Sequence, residues 1–327
     1  MSELISTPAA QPPGTWQRLV RNRVALAAMI ILSAIALSAI FGPSIFPYSP
    51  EKVTPYSLHP PSWLPLGDTQ AKLDAARGAA VERWQHPFGT DMNGRDVFSR
   101  VIQGARVSLI VGLCGALVSF FVGTTYGLIS GYVGGRTDNV MMRFIEMLHS
   151  VPRLIIVIVA IFTFAPWLEG FLHRVLPDIE GYAKILILIL CLGLIEWLAM
   201  ARIVRGQVLA LKEQQFVLAA RALGQSHARI LVRHLLPNLI GVIVVYLTLT
   251  IPAVILDESF LSFLGLGISD PQASWGSLLS DGKNVINPVH SYWWLLLFPA
   301  AAMSLTLVAL NFLGDAIRDA LDPRARR

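Results

Sequence analysis

Charge is what this chain has least of: Asp, Glu, Lys and Arg make up 14% of its 327 residues, where a soluble domain averages about 25%. The polar coat that a soluble fold of this size needs is therefore missing. Cysteine is scarce as well. Cys114 and Cys191 sit inside apolar runs and form no CxxC pair, so they read as packing residues and leave the redox compartment open. Catalytic patterns are also absent. Lys283, in Asp281-Gly282-Lys283-Asn284, lacks both the upstream glycine and the following hydroxyl of a GxxxxGK(S/T) phosphate loop. There is no HExxH, and His59, His86, His149, His173, His227, His234 and His290 are scattered singly, without metal-ligand spacing. No nucleophile–base pair shares a common context. Neither a catalytic centre nor a metal or cofactor site is expected in this chain.

What fills the chain instead is apolar. Hydrophobic residues make up 54% of it and the mean hydropathy is +0.59. Uncharged runs cover 24–50, 107–135, 154–168, 235–256 and 284–314, and 185–201 carries a single acid. A bilayer core of ~30 Å takes about 20 helical residues to cross. Several runs reach that length alone, and the shorter ones do so with their flanks. A large buried soluble core would need polar helical faces between the runs, and none are present. The expectation is an all-α integral membrane protein with six spans, at roughly 24–46, 107–131, 144–165, 184–204, 238–258 and 292–314.

The net charge of +5 and pI of about 9.4 could point to nucleic acid. In a membrane protein, however, excess Lys and Arg mark the cytoplasmic side. With these spans one side carries sixteen basic residues against seven acidic ones, among them Arg18, Arg21, Arg23, Arg136, Arg143, Arg153, Arg202, Arg205 and Arg318. The other side has ten basic and eleven acidic residues, and its basic ones lie mostly in the long 47–106 segment, where they count little. Both termini are thus expected in the cytoplasm. The chain divides into a cytoplasmic tail 1–23, a first span 24–46, an outer segment 47–106, a core 107–314 of five spans, and a cytoplasmic tail 315–327. The first 15 residues, rich in Pro, Ala and Ser, read as a disordered tail without a cleavable signal.

Two connecting segments are too polar and too long to be simple loops. Residues 47–106 begin with Pro47, Pro50, Pro55, Pro60, Pro61 and Pro65 and continue into a charged stretch over Lys72–Arg83. Residues 205–237 read as two short cytoplasmic helices, the first stopped at Gly224, the second capped by Ser226 and ended by Pro237. On the second span, Gly115, Ser119, Gly123, Gly127, Gly131 and Gly135 recur every fourth residue and form one small-residue face. Small side chains there let a second helix approach closely, within this subunit or across a seam to another. Glu196, Asp257 and Glu258 are acids in or near spans, which makes them functional suspects. Their places in the sequence put Glu196 near the cytoplasmic end of its span, close to Arg202, and Asp257 and Glu258 near the outer interface. His149, beside Pro152, is a candidate gate element.

The stretch Leu218-Ala219-Ala220-Arg221-Ala222-Leu223-Gly224, with Ile230, His234 and Leu236-Pro237-Asn238, resembles the "EAA" loop of ABC-importer permeases. In that family the loop is a short helical hairpin that docks into a groove on the ATPase subunit. Ala219 and Ala220 would offer it a shallow surface and Gly224 the sharp bend, with Arg221, Arg229 and Arg233 solvated or paired with the partner. The motif's leading glutamate is Leu218 here. The alternative is an amphipathic hairpin lying on the lipid surface.

The resemblance extends to His86-Pro87-Phe88-Gly89-Thr90-Asp91, Gly94-Arg95-Asp96-Val97 and Gly104-Ala105-Arg106-Val107-Ser108. It continues through Glu258 to Gly267, Ser274-Trp275-Gly276, and Asn311 through Arg324. Together these are similar to the dipeptide/oligopeptide permeases, nearest their C-subunit branch. The resemblance implies a type I ABC-importer fold in the bacterial inner membrane and alternating access for peptides. It implies a homologous second permease, one or two ATPases that bind ATP and Mg, an extracytoplasmic solute-binding protein and surrounding membrane lipid. A nickel or other peptide-like solute, or less readily an ion-coupled secondary transporter, would be the other readings.

Overall fold

The computed structural model describes residues 15–45, 49–54, 56–64, 86–175, 182–286 and 291–321. Of the expected 15-residue tail, residues 1–14 lie outside the described residues and Thr15 already opens a helix; the charged stretch 72–83, and Pro323 with Arg324, also lie outside them. Among those described, the regular structure is helical, apart from one isolated bridge between Thr90 and Asp96. Two N-terminal helices, α1 (Thr15–Arg21) and α2 (Arg23–Ile45), meet at Asn22. Its side-chain oxygen accepts from the amides of Val24 and Ala25 and so caps α2. Helix α3 (Val97–Val133) starts on Asp96, whose carboxylate accepts from the Ser99 amide. At 37 residues it is longer than a bilayer needs and stands proud on the outer side.

The chain then continues through α4 (Gly135–His149), α5 (Arg153–Val175) and α6 (Ala183–Leu211). Next come α7 (Gln215–Ala222), α8 (His227–Ile230), a π-helical turn (Leu231–Leu235) and α9 (Leu236–Phe263). Helices α10 (Trp275–Val285) and α11 (Trp294–Leu321) complete it. Among the described residues six helices are long and apolar enough to cross a membrane: α2, α3, α5, α6, the run through α8 and α9, and α11. An even number of crossings brings both ends to one side, the side with the basic excess.

The parallel pair α3 and α6 forms the centre of the fold, with Gly115, Gly123, Gly127 and Gly131 of α3 meeting Ile189, Met200, Val204 and Val208 of α6 in turn. Small residues make this possible, because a Cβ on Gly127 would stand 2.5 Å from the Ala201 carbonyl oxygen. Gly123 and Gly131 press on α6 in the same way, Gly115 lies against Val254 of α9, and Ser119 is fully buried. Gly135 stands apart from this face. Gly134 and Gly135 both take positive φ, so α3 has already ended at Val133 and the chain is turning back. Ile35 and Ala39 of α2 pack on Ala105 and Leu109 of α3 and on Met303 and Leu307 of α11, so α2 is an outer layer over the core.

The expected uninterrupted span 144–165 is instead two helices. Helix α4 climbs back along α3 and α6: Asp138 pairs with Arg205, Tyr126 donates to the Met141 carbonyl, and Ile145 packs on Trp197 and Ala201. It stops at His149, and α5 begins only at Arg153. Pro152 explains the break. It cannot donate to the previous turn and disfavours helical φ/ψ at Val151. Its own carbonyl then accepts the first bonds of α5, from Ile155 and Ile156.

Candidate functional site

The cytoplasmic loop is built from α7, α8 and the turn between them. Helix α7 ends in a Schellman motif: the Gln225 amide donates to the Ala220 carbonyl and the Gly224 amide to Arg221. This closure needs positive φ at Gly224, which is +71°, and open space surrounds the position a Cβ would take. The helical period then divides the loop into two faces. Val217, Ala220 and Ile230 point inward and pack with Val204, Val208, Tyr132 and Leu235. Phe216, Leu218, Ala219 and Leu223 point outward, Leu223 with 80% of its surface exposed. Ala220 therefore does not offer the expected shallow docking surface. At 4% exposure it belongs to the subunit's own core, since it follows Val217 by three residues on the same face.

Side chains fix the loop to the spans. The Tyr132 hydroxyl bonds to His227 Nδ1 at 2.8 Å, and the Arg221 guanidinium lies 5.1 Å over the Tyr132 ring. His234 in the π turn reaches back to Gln225 at 2.8 Å. Pro237 sits in the first turn of α9, where its missing amide hydrogen is harmless. The loop is thus a rigid extension of α3, α6 and α9, with apolar side chains on its outer face.

A second constellation lies within the membrane. Arg153 donates from Nη1 to Glu196 at 2.5 Å and from Nη2 to Asp257 at 2.8 Å. Sequence position had set the two acids near opposite interfaces and Arg153 with the cytoplasmic charges. The structure brings all three together. Helix α5 starts at the break rather than at the membrane surface, so Arg153 enters at the depth of Glu196, near the midpoint of α6. Asp257 bridges the remaining height through the long arginine side chain. His149 lies beside this group, with Nε2 3.4 Å from Arg202.

The third constellation is a knot on the outer side, where the remaining motifs meet. Arg100, at 2% side-chain exposure, donates to Asp91 at 2.6 Å and to Asp270 and Asp281 at 3.0 Å each. Arg95 joins Asp91 and Asp270, each at 2.8 Å. Burial pushes the Asp281 carboxyl above its usual range, against the pull of Arg100. Below this network Glu258 is fully buried and accepts from Ser108, Ser259 and Ser262. It is a peg between α3 and α9 and does not reach the outer interface. Trp275, also fully buried, donates its indole N–H to the Val101 carbonyl, and Ser274 caps α10.

The profile of the family described as "Binding-protein-dependent transport system inner membrane component" matches residues 123–327. The chain belongs to this family. A second profile, "N-terminal TM domain of oligopeptide transport permease C", matches residues 14–61 and covers the outer-layer helix α2. Among similar proteins is the dipeptide transport system permease protein DppC of Bacillus subtilis (strain 168), 43% identical over 312 residues, 95% of this chain and 85% of that protein. Another is the oligopeptide transport system permease protein OppC of Escherichia coli (strain K12), 44% identical over 315 residues, 95% of this chain and 92% of that protein. A solved structure titled as inward-facing conformations of the MetNI methionine ABC transporter is similar at a TM-score of 0.50 and 19% identity. That likeness covers 69% of this chain and 97% of the other, and it places the fold among ABC-importer permeases.

As a member of this family the chain is a multi-pass inner-membrane transport subunit. Sequence reasoning passed over two residues that organise it. Tyr132 ends the glycine-rich helix and gave no motif of its own. Arg153 was grouped with the cytoplasmic charges, although Asp257, a span acid with no basic residue near it in the sequence, was a signal that a cation had to come from elsewhere.

Proposed function

We propose that this chain is one of two permease subunits of an ATP-driven importer that carries peptides inward across the inner membrane. The names of its relatives support peptides over nickel as cargo. The remaining partners are a homologous permease, one or two ATPase subunits that bind ATP and Mg, and an extracytoplasmic binding protein. The observation that carries the mechanism is the two-faced loop of α7 and α8. Its inner face is locked to the spans through Val217, Ala220, Ile230 and the Tyr132–His227 bond, while Phe216, Leu218 and Leu223 are left exposed on the cytoplasmic side. A soluble partner that covers those apolar side chains can move α3, α6 and α9 as it moves. Closure of the ATPases then swings the spans and opens the path outward, where the binding protein releases its cargo.

The test is transport by the assembled complex in proteoliposomes, with loaded binding protein outside and ATP inside. The proposal expects peptide uptake that requires ATP and stops with vanadate. Uptake driven by an ion gradient without ATP would contradict it. The ion-coupled alternative rests on Glu196 and Asp257, and both are engaged by Arg153.

A further inference from the structure

The Arg153 group sits where lipid cannot be its neighbour. Glu196 lies roughly 20 Å from either end of α6 at 1.5 Å per residue, so the group lies within the span, on the outer side of Arg202. Yet the Arg153 side chain is 48% exposed, and His149, Ser150 and Arg202 around the helix break are exposed with it. Four polar side chains on one face at this depth require water or protein opposite them.

The exposure is unequal within the group. Glu196 and Asp257 each expose only 10% of their side chains and lie beneath the guanidinium. A cationic ligand cannot reach them. An anionic ligand meets one guanidinium already facing two carboxylates, a group with net negative charge. What the surface does present is the remaining N–H donors: of five on a guanidinium, two are engaged, leaving three. Donors without net positive charge suit a neutral acceptor, and a peptide offers a backbone carbonyl at every residue. Such a contact is independent of side chains and too weak to hold cargo in place.

From this we infer that Arg153 is a cargo-contacting donor in the translocation path, which takes backbone carbonyl oxygens of the passing peptide. Glu196 and Asp257 are its positioning residues: they aim the guanidinium across the break at 150–152 and cancel its charge. This inference rests on the peptide-importer reading, so its test has an arm that does not need cargo.

In a complex with Cys114 and Cys191 replaced by Ala, Ser150→Cys reports the surroundings of the group through a charged, membrane-impermeant methanethiosulfonate. Rapid modification in the assembled complex is expected. A thiol that reacts only with a lipophilic maleimide, or with neither reagent, places this face against lipid or the second permease and overturns the inference. The second arm compares Arg153→Met/Glu196→Gln/Asp257→Asn, which removes the donor and leaves no unpaired charge, with Arg153→Lys, which keeps donors. Peptide delivered per ATP hydrolysed should fall by up to roughly tenfold in the triple variant, the order expected for one lost hydrogen bond, and less in Arg153→Lys. Uptake by the neutral triple variant at the wild-type level would show a merely structural ion group and overturn the inference. If the triple variant does not assemble, the thiol arm decides. Failure of the wild-type complex to carry any peptide would count against the importer reading alone, since thiol reactivity is read without cargo.

Discussion

Within the cytoplasmic loop, neighbouring residues carry different duties, and substitutions should separate them. Gly224 at φ +71° has open space around it, so Gly224→Ala meets no clash and costs only the left-handed backbone penalty of about 1–2 kcal/mol. The subunit should reach the membrane at normal levels and retain ATPase less well on purification. Ala220→Glu is a different experiment from its neighbour's. It buries an unpaired carboxylate among Val204, Val208 and Val217, at a cost on the order of several kcal/mol. The expected result is less folded subunit, measured by membrane-fraction immunoblot, before any question of coupling arises. Ala219→Glu, on the exposed face, should leave the subunit level unchanged. The motif made both alanines legible, but which one is exposed could be read only once the start of α7 fixed the helical phase.

Elements were legible where the bilayer dictates their length and hidden where side chains override that rule. The six crossings follow from uncharged runs that a ~30 Å core demands. The interruption at 150–152 did not, because Arg153 looked like the flanking charge of a span whose start it marks at mid-depth. Glu258 misled in the opposite sense: a peptide-chain neighbour of Asp257, it points to the serines of α3 and α9 and not to Arg153. How firmly α7 and α8 are held to α3 is a further property of this scale. Tyr132→Phe deletes the bond to His227 and keeps the ring under Arg221, so it should cost about 0.5–1.5 kcal/mol. Hydrogen exchange over 215–235 should accelerate, while that of α6 remains as it was. Equal exchange in both proteins would remove Tyr132 from the coupling path.

At the scale of the whole molecule, the outer knot and the inner loop sit at opposite ends of α3 and α9. Arg100→Ala leaves Asp91 buried without one of its two cations and should destabilise the fold by about 3–5 kcal/mol. A lowered unfolding temperature of the purified complex would register it. The motifs of this knot were recognisable one by one, but that Ser108, Glu258, Ser262 and Trp275 converge needed three dimensions, since they come from three parts of the chain. The central claim is that the exposed face of the loop carries motion from the ATPases to the spans. ATP hydrolysis stimulated by loaded binding protein, measured on the assembled complex with wild-type and Leu223→Asp subunits, tests it most directly. Leu223 touches neither the core nor the path, and its 80% exposure lets the change fold without strain. Leu223→Asp complexes should lose the ATPase subunits or lose the stimulation, with subunit level unchanged; stimulated hydrolysis and uptake equal to wild type would mean that this face does not carry the motion.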